Sequence, residues 1–139
     1  MEGINMTSCP FCKIVAGEIP SHKVYENNLV LAFLDVKPHA RGHTVIIPRI
    51  HQVLAKDLSE SVYLALMKAV REVIRLLKDK LSADGFNVGW NDGSSAGQVV
   101  PHLHLHIFPR YNGDGGGSMH SIISHPGSQS VEEVARLLD

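Results

Sequence analysis

Three histidines, His102, His104 and His106, alternate with Leu103, Leu105 and Ile107 between Gln98 and Phe108. In an extended strand successive side chains point to opposite faces, so this spacing predicts three imidazoles on one face and the aliphatic residues on the other. Same-face neighbours then stand about 6.6 Å apart along the strand, which suits a row of imidazoles tracking a phosphate chain. Neutral imidazole attacks phosphorus well and leaves well once substituted. The row can therefore support a two-step displacement through a covalent nucleotidyl-histidine. A neighbouring imidazole, with an ordinary pKa of about 6.5, can hand a proton to the departing group near neutral pH. A wet sheet face or a plain metal site is the competing reading, and the strict alternation over an apolar opposite face favours catalysis over both.

Cys9-Pro10-Phe11-Cys12 is a second constellation. Two thiolates in C-x2-C spacing can take adjacent vertices of a tetrahedral zinc site, with two imidazoles from elsewhere completing it. Redox use is the rival reading. The motif is not embedded in a thioredoxin-like βαβ pattern, so structural zinc is favoured. The run Gly113 to Gly117 lacks the Lys-Ser/Thr and the strand-helix setting of a P-loop and reads as a flexible loop. His22, His39, His120 and His125 are isolated along the chain and read as solvent-facing.

The elements that must position these groups are legible in outline. His22 to Glu26 and Leu29 to Asp35 read as a hairpin around Asn27-Asn28, and His43 to Ile47 as a third strand. From Asp57 the spacing of Leu58, Val62, Leu66, Ala69, Val73 and Leu77 is helical, and Asp57 with Glu60 resembles a capping box at its start. Gly85 to Asn91 and His102 to Phe108 supply two more strands. A final short helix from Val131 follows the Ser130 and Glu133 capping box. Five strands and one long helix make an α+β domain.

Composition narrows the function classes. The chain has 139 residues, 44% of them hydrophobic, enough for one domain with a real core. Its formal net charge of -1 argues against a nucleic-acid binder that neutralises many phosphates. No apolar run reaches membrane-spanning length, and the first residues lack the regions of a secretory signal, so a cytoplasmic location is expected.

His102-Leu103-His104-Leu105-His106-Ile107-Phe108 matches the pattern His-φ-His-φ-His-φ-φ, and the chain resembles the Hint branch of the histidine-triad superfamily of nucleotide hydrolases and transferases. The resemblance runs from about Cys9 to Arg110 and includes Ile19-Pro20, Phe33-Leu34-Asp35, Gly42 to Pro48, Gly97-Gln98 and Pro109-Arg110. It implies a five-stranded antiparallel sheet with one long helix and short terminal helices, in a homodimer with a continuous sheet. The expected division is a disordered tail over residues 1–8, the triad domain over 9–110, and an extension with a short helix over 111–139.

The resemblance also implies roles. His104 would be the nucleophile toward the α-phosphate, and His106 would contact the scissile bridging atom. His102 and His43 would orient this centre. Asn91, Gln98 and the backbone amides around Gly97 would lie near the phosphate, and Asp35 would accept hydrogen bonds from the ribose. An apolar slot for the base would draw on Phe11, Ile14, Ile19, Phe33, Leu34 and Val36, each of which could equally be ordinary core. Related prokaryotic-type proteins pair the C-x2-C with histidines at the positions of His51 and His102. Zinc on Cys9, Cys12, His51 and His102 would leave no open coordination position, so it would be structural. No organic cofactor is expected.

Val99 departs from the family pattern, standing where the animal phosphoramidases of this branch carry a serine. Valine cannot donate that hydrogen bond. The implied function is cleavage at the α-phosphate of purine nucleoside phosphoramidates, adenylates or dinucleoside polyphosphates. The alternative is a nucleotide-binding interaction protein with incidental catalysis. A DNA-end processing role is disfavoured because no added nucleic-acid module fits in the chain.

Overall fold

The computed structural model describes residues 8–139. The tail expected over residues 1–8 thus lies, save for Ser8, outside the described residues. Strands β1 (Lys23–Glu26) and β2 (Val30–Leu34) form the expected hairpin. The Asn27 side chain closes it by accepting the backbone N–H groups of Leu29 and Val30, each at 2.9 Å. Strands β3 (Thr44–Pro48), β4 (Gly85–Gly89) and β5 (Leu105–Arg110) complete a five-stranded sheet in the order β1-β2-β3-β5-β4. Every pairing is antiparallel. Helices α1 (Pro10–Val15), α2 (Glu60–Leu81) and α3 (Val131–Leu137) give the α+β architecture with its long helix and short terminal ones.

Helix α2 covers one face of the sheet. Its buried residues Val62, Leu66, Ala69, Val70, Val73 and Leu77 recur on one side and pack with Val30, Ala32, Ile46, Leu103, Leu105 and Ile107. The opposite face is shared. Phe11, Ile14 and Val15 of α1 cover Leu31, Phe33, Val45 and Ile47, while the β5 end of that face remains available for polar groups. Ser130 caps α3 in the expected capping box with Glu133.

Two local expectations need correction. Helix α2 starts one turn-element later than the Asp57 and Glu60 pattern predicts. Asp57 closes a 3-10 turn over Ala55–Asp57, Leu58 is extended, and the Ser59 hydroxyl caps the helix by accepting the Val62 N–H at 3.3 Å. A serine immediately before the helix outcompetes an aspartate whose backbone is already committed to a tighter turn. Likewise β5 begins at Leu105, not at His102. Pro101 has no N–H for a ladder. The following amides are bonded elsewhere, His102 N–H to the Val100 carbonyl at 2.8 Å and Leu103 N–H to the Gln52 carbonyl at 2.7 Å. The alternation of burial still holds through Leu103, Leu105 and Ile107, and His102 is fully buried with its ring, like that of His104, against Phe11.

Candidate active site and metal centre

Helix α1 aims two thiols at one point. Cys9 is its N-cap, Pro10 fixes the first turn, and the Cys12 N–H donates to Cys9 Sγ at 3.4 Å. Two imidazoles reach the same point. Cys9 Sγ lies 3.3 Å from His102 Nδ1, Cys12 Sγ 3.2 Å from His51 Nδ1, and the two Nδ1 atoms 3.2 Å apart. Zinc bound at about 2.3 Å to sulfur and about 2.0–2.1 Å to nitrogen in a tetrahedron spaces its ligand atoms about 3.3–3.8 Å apart. The four donors therefore fit that ion. His102 Nε2 is 2.9 Å from the Pro48 carbonyl, to which it must donate, so its Nδ1 carries the lone pair and faces the sulfurs. Burial and the neighbouring Cys9 push the Cys12 thiol up to about 11. A bound dication reverses that preference by supplying the charge that two adjacent thiolates lack.

Of the other two histidines of the row, His106 lines an open cleft and His104 is half-buried. His104 Nδ1 donates to the His102 carbonyl at 2.8 Å, which fixes the tautomer and leaves the Nε2 lone pair free. Phe11 packs against this ring at a centroid distance of 4.9 Å. His106 lies in register with Val45 of β3 and Gly89 of β4. Its Nδ1 is 2.9 Å from His43 Nε2. The His39 backbone N–H donates to His43 Nδ1 at 3.2 Å, so His43 donates from Nε2 and His106 accepts on Nδ1. That chain puts the hydrogen of neutral His106 on Nε2.

Burial is the main influence on this pair. It lowers His43 below the ordinary imidazole value, partly opposed by the Asp35 carboxylate at 3.7 Å from Nε2. Burial, with His104 and His43 nearby, pushes His106 down to about 4. His106 is thus neutral at physiological pH in the free protein.

The remaining expected residues divide. Phe11 and Ile14 of α1 pack on the cluster that contains Phe33, whereas Val36 is 80% exposed and Ile19 is 36% exposed. Leu34 is half-buried at the end of β2. Asp35 accepts the Lys37 N–H through Oδ1 and lines a cavity of about 560 Å³ together with His43, Asn91, His106, Phe108 and Trp90. Gln98 is buried and serves the loop. Its Oε1 accepts the Gly93 N–H at 2.8 Å, and its Nε2 donates to the Val53 and Val100 carbonyls. The Gly97 and Gln98 amides close that turn on the Ser94 and Gly93 carbonyls, so either would have to exchange a bond to hold a phosphate. Gly97, at φ +98, takes a conformation that only glycine adopts readily. Among the described residues, no histidine or cysteine lines a wider depression of about 970 Å³ beside Tyr25, Glu72, Arg75 and Asp79.

Three residues were not legible as part of the site. His39, read as solvent-facing, fixes the His43 tautomer through its backbone and lies edge-on to the His43 ring at 5.7 Å. Phe108 stacks on His106 at 5.4 Å with the planes 11° apart. Arg110 anchors the glycine-rich segment read as a flexible loop. It donates to both Asp114 oxygens, at 2.8 and 2.7 Å, and to Asn87 Oδ1 at 2.7 Å. The alternation that placed His104 and His106 on one face also selects Phe108 and Arg110, so the signal was present.

The chain is similar to known proteins. The HIT domain family model matches residues 16–113. An uncharacterised HIT-like protein of Methanocaldococcus jannaschii is 46% identical over 107 residues, covering 77% of this chain and 82% of that protein. An adenylylsulfatase of Arabidopsis thaliana is 39% identical over 106 residues, 76% of this chain and 54% of that protein. A solved structure of a zinc-bound histidine triad family protein from Mycobacterium smegmatis superposes with a TM-score of 0.75 at 37% identity, covering 96% of this chain and 92% of that one.

Proposed function

The chain belongs to the HIT domain family, and from that premise we propose that it is a nucleotide hydrolase or transferase acting at the α-phosphate through a nucleotidyl-His104 intermediate. The observation that carries this reading is the free Nε2 lone pair of His104, whose ring is held by the His102 carbonyl with its centroid 5.1 Å from that of His106. His104 Nε2 attacks phosphorus, a P–N bond forms, and the bond to the leaving nitrogen or oxygen breaks. Binding of the anionic phosphate favours the protonated form of His106. Its Nε2 proton passes to the departing group. Water then attacks the same phosphorus and gives a proton to His106, and His104 leaves as neutral imidazole. Asp35 would hold the ribose hydroxyls, and the slot near Phe11 and Phe33 a purine.

Candidate substrates are adenosine 5'-phosphoramidates, aminoacyl adenylates and diadenosine polyphosphates; the Arabidopsis thaliana relative's adenylylsulfatase name supports an adenylate-type substrate. Zinc on Cys9, Cys12, His51 and His102 would be structural, tying α1 to the start of the histidine row. The name of the Mycobacterium smegmatis relative supports that metal. A homodimer is supported by the open edges of β1 and β4 and by exposed Tyr63, Leu64 and Met67 on α2. Among the described residues no helix is long and apolar enough to cross a membrane, and a cytoplasmic role remains part of the proposal.

The test is AMP release from adenosine 5'-phosphoramidate and diadenosine tetraphosphate by the native chain and by His104→Ala. Release lost in a variant that still binds AMP is expected. A folded, AMP-binding native chain that releases nothing would instead identify a nucleotide-binding interaction protein.

A further inference from the structure

The hydrogen bonds that hold His106 run in one direction. The His39 backbone N–H donates to His43 Nδ1, and the His43 Nε2–H donates to His106 Nδ1. A backbone N–H cannot become an acceptor, so His43 keeps its hydrogen on Nε2. The chain is satisfied while His106 is neutral with its own hydrogen on Nε2. It is no longer satisfied once His106 acts as an acid. To give up the Nε2 proton and remain a neutral imidazole, His106 must first gain a proton on Nδ1, and it keeps that proton until the second displacement is complete. Two N–H groups, His43 Nε2–H and His106 Nδ1–H, then oppose each other across a contact of 2.9 Å.

An acceptor stands beside them. Asp35 follows β2 and donates its backbone N–H to the His43 carbonyl at 2.9 Å, so the two residues are tied together at the ends of neighbouring strands. Its Oδ1 accepts the Lys37 N–H at 2.8 Å. Its Oδ2 lies 3.7 Å from His43 Nε2. Reaching the roughly 2.8 Å of a charge-assisted hydrogen bond needs a movement of about 1 Å. Burial, and then the imidazoles of His104, His43 and His39, oppose protonation of His106, whereas Asp35 favours it. Phe108 stacks on the ring, and Asn87, Trp90 and Asn91, on or just after β4, bring no charge. Among the described residues that line this cavity, Asp35 is the one carboxylate.

We propose that Asp35 is a positioning residue for the acid: its Oδ2 takes the Nε2–H of His43 whenever His106 carries a proton on Nδ1, and so keeps the charged ring in place. Asp35 accepts a hydrogen bond here and takes up no proton. This duty is additional to the ribose contact proposed above, and it rests on the reading of His104 and His106 as the reacting centre.

The two duties of Asp35 part in a substrate without ribose hydroxyls. Asp35→Asn keeps an oxygen for the Lys37 N–H and removes the charge. On 2',3'-dideoxyadenosine 5'-phosphoramidate this variant is expected to lose kcat about tenfold at about pH 7.5, with the alkaline fall of kcat displaced downward by about one pH unit. Asp35→Ala, which removes the acceptor as well, should lose more. Equal kcat and one shared pH profile for native and Asp35→Asn on this substrate, with a difference confined to KM on the ribose-bearing one, overturns the proposal.

A second readout needs no turnover. With 2',3'-dideoxy-AMP bound, the ring nitrogens of His106, followed by nuclear magnetic resonance, should titrate about one pH unit lower in Asp35→Asn than in the native chain. His104 should keep its native tautomer, which excludes general misfolding. Equal titration of His106 in the two proteins also overturns the proposal. A native chain that releases no nucleotide from either substrate, yet shows the displaced titration, removes the catalytic reading and leaves the Asp35 contact standing. Release with an unmoved profile and titration removes the role of Asp35 alone.

Discussion

His102 and His106 are four residues apart in one alternating row, yet they occupy opposite kinds of environment. His102 is fully enclosed, donates to a backbone carbonyl, and turns its lone pair toward two sulfurs. His106 is half-buried beside a cleft, takes its tautomer from His43, and stacks on Phe108. His104 joins the two regions, because its orienting acceptor is the carbonyl of His102. A ligand set that fixes His102 therefore also fixes the orientation of the His104 ring. The difference teaches that similar side chains acquire separate duties from the partner of each second ring nitrogen.

The largest effect should come from the reacting side. His104→Ala is expected to reduce AMP release by about 10³-fold or more while shifting stability by less than about 1 kcal/mol. Steady-state kinetics and thermal unfolding measure both. Comparable activity in the two proteins would break the division of labour outright.

The closed side should show the reverse pattern. Cys9→Ser with Cys12→Ser is expected to abolish stoichiometric zinc and lower the melting temperature, with residual activity in the folded fraction well above that of His104→Ala. Metal analysis and calorimetry decide it. Zinc retained in full by the double variant would remove the proposed ligand set. Full activity with unchanged stability after complete zinc loss would show that the closed cluster does not hold the row.

Titration gives a subtler contrast. Burial lowers His106 to about 4 and His43 in the same direction, so both stay neutral in the folded chain while the unfolded chain takes up their protons from about pH 6.5 downward. The unfolded state then binds more protons, and this contribution to stability is complete above about pH 6.5 and lost as pH falls toward 4. Nuclear magnetic resonance of the imidazole carbons should find both depressed in the free protein and raised when AMP binds. Ordinary values in the free protein would mean that the cleft is wetter than its geometry.

The smallest effect is assigned to Val99, which is 86% exposed. Val99→Ser should change stability by less than about 0.5 kcal/mol and, if the family's serine acts on the leaving group, raise phosphoramidate turnover selectively. A loss of stability would show that Val99 has a packing duty.

Much of this organisation was legible in the residues. Period-two alternation located Leu103, Leu105 and Ile107 in the core and His104 and His106 on the opposite face. Helical spacing marked the buried side of α2. The C-x2-C spacing, joined to the two histidines that only the family resemblance supplied, named a cluster whose atoms do converge. What escaped depends on contacts distant in the chain or on backbone commitments. The burial of His102 rests on the Pro48 carbonyl, far away in sequence, which takes its hydrogen. Gln98 was placed near a phosphate by resemblance, but three backbone groups engage its amide. The glycine-rich segment looked featureless because its order comes from Arg110, outside the segment itself.

The central claim is that the nucleotidyl group resides on His104 between two displacements at phosphorus. The stereochemical course tests it most directly: hydrolysis of a P-chiral adenosine 5'-phosphoramidothioate in heavy-oxygen water, with the configuration of the product determined. Two successive in-line displacements predict net retention at phosphorus. Net inversion would mean that water attacks the substrate directly, and would contradict a covalent role for His104.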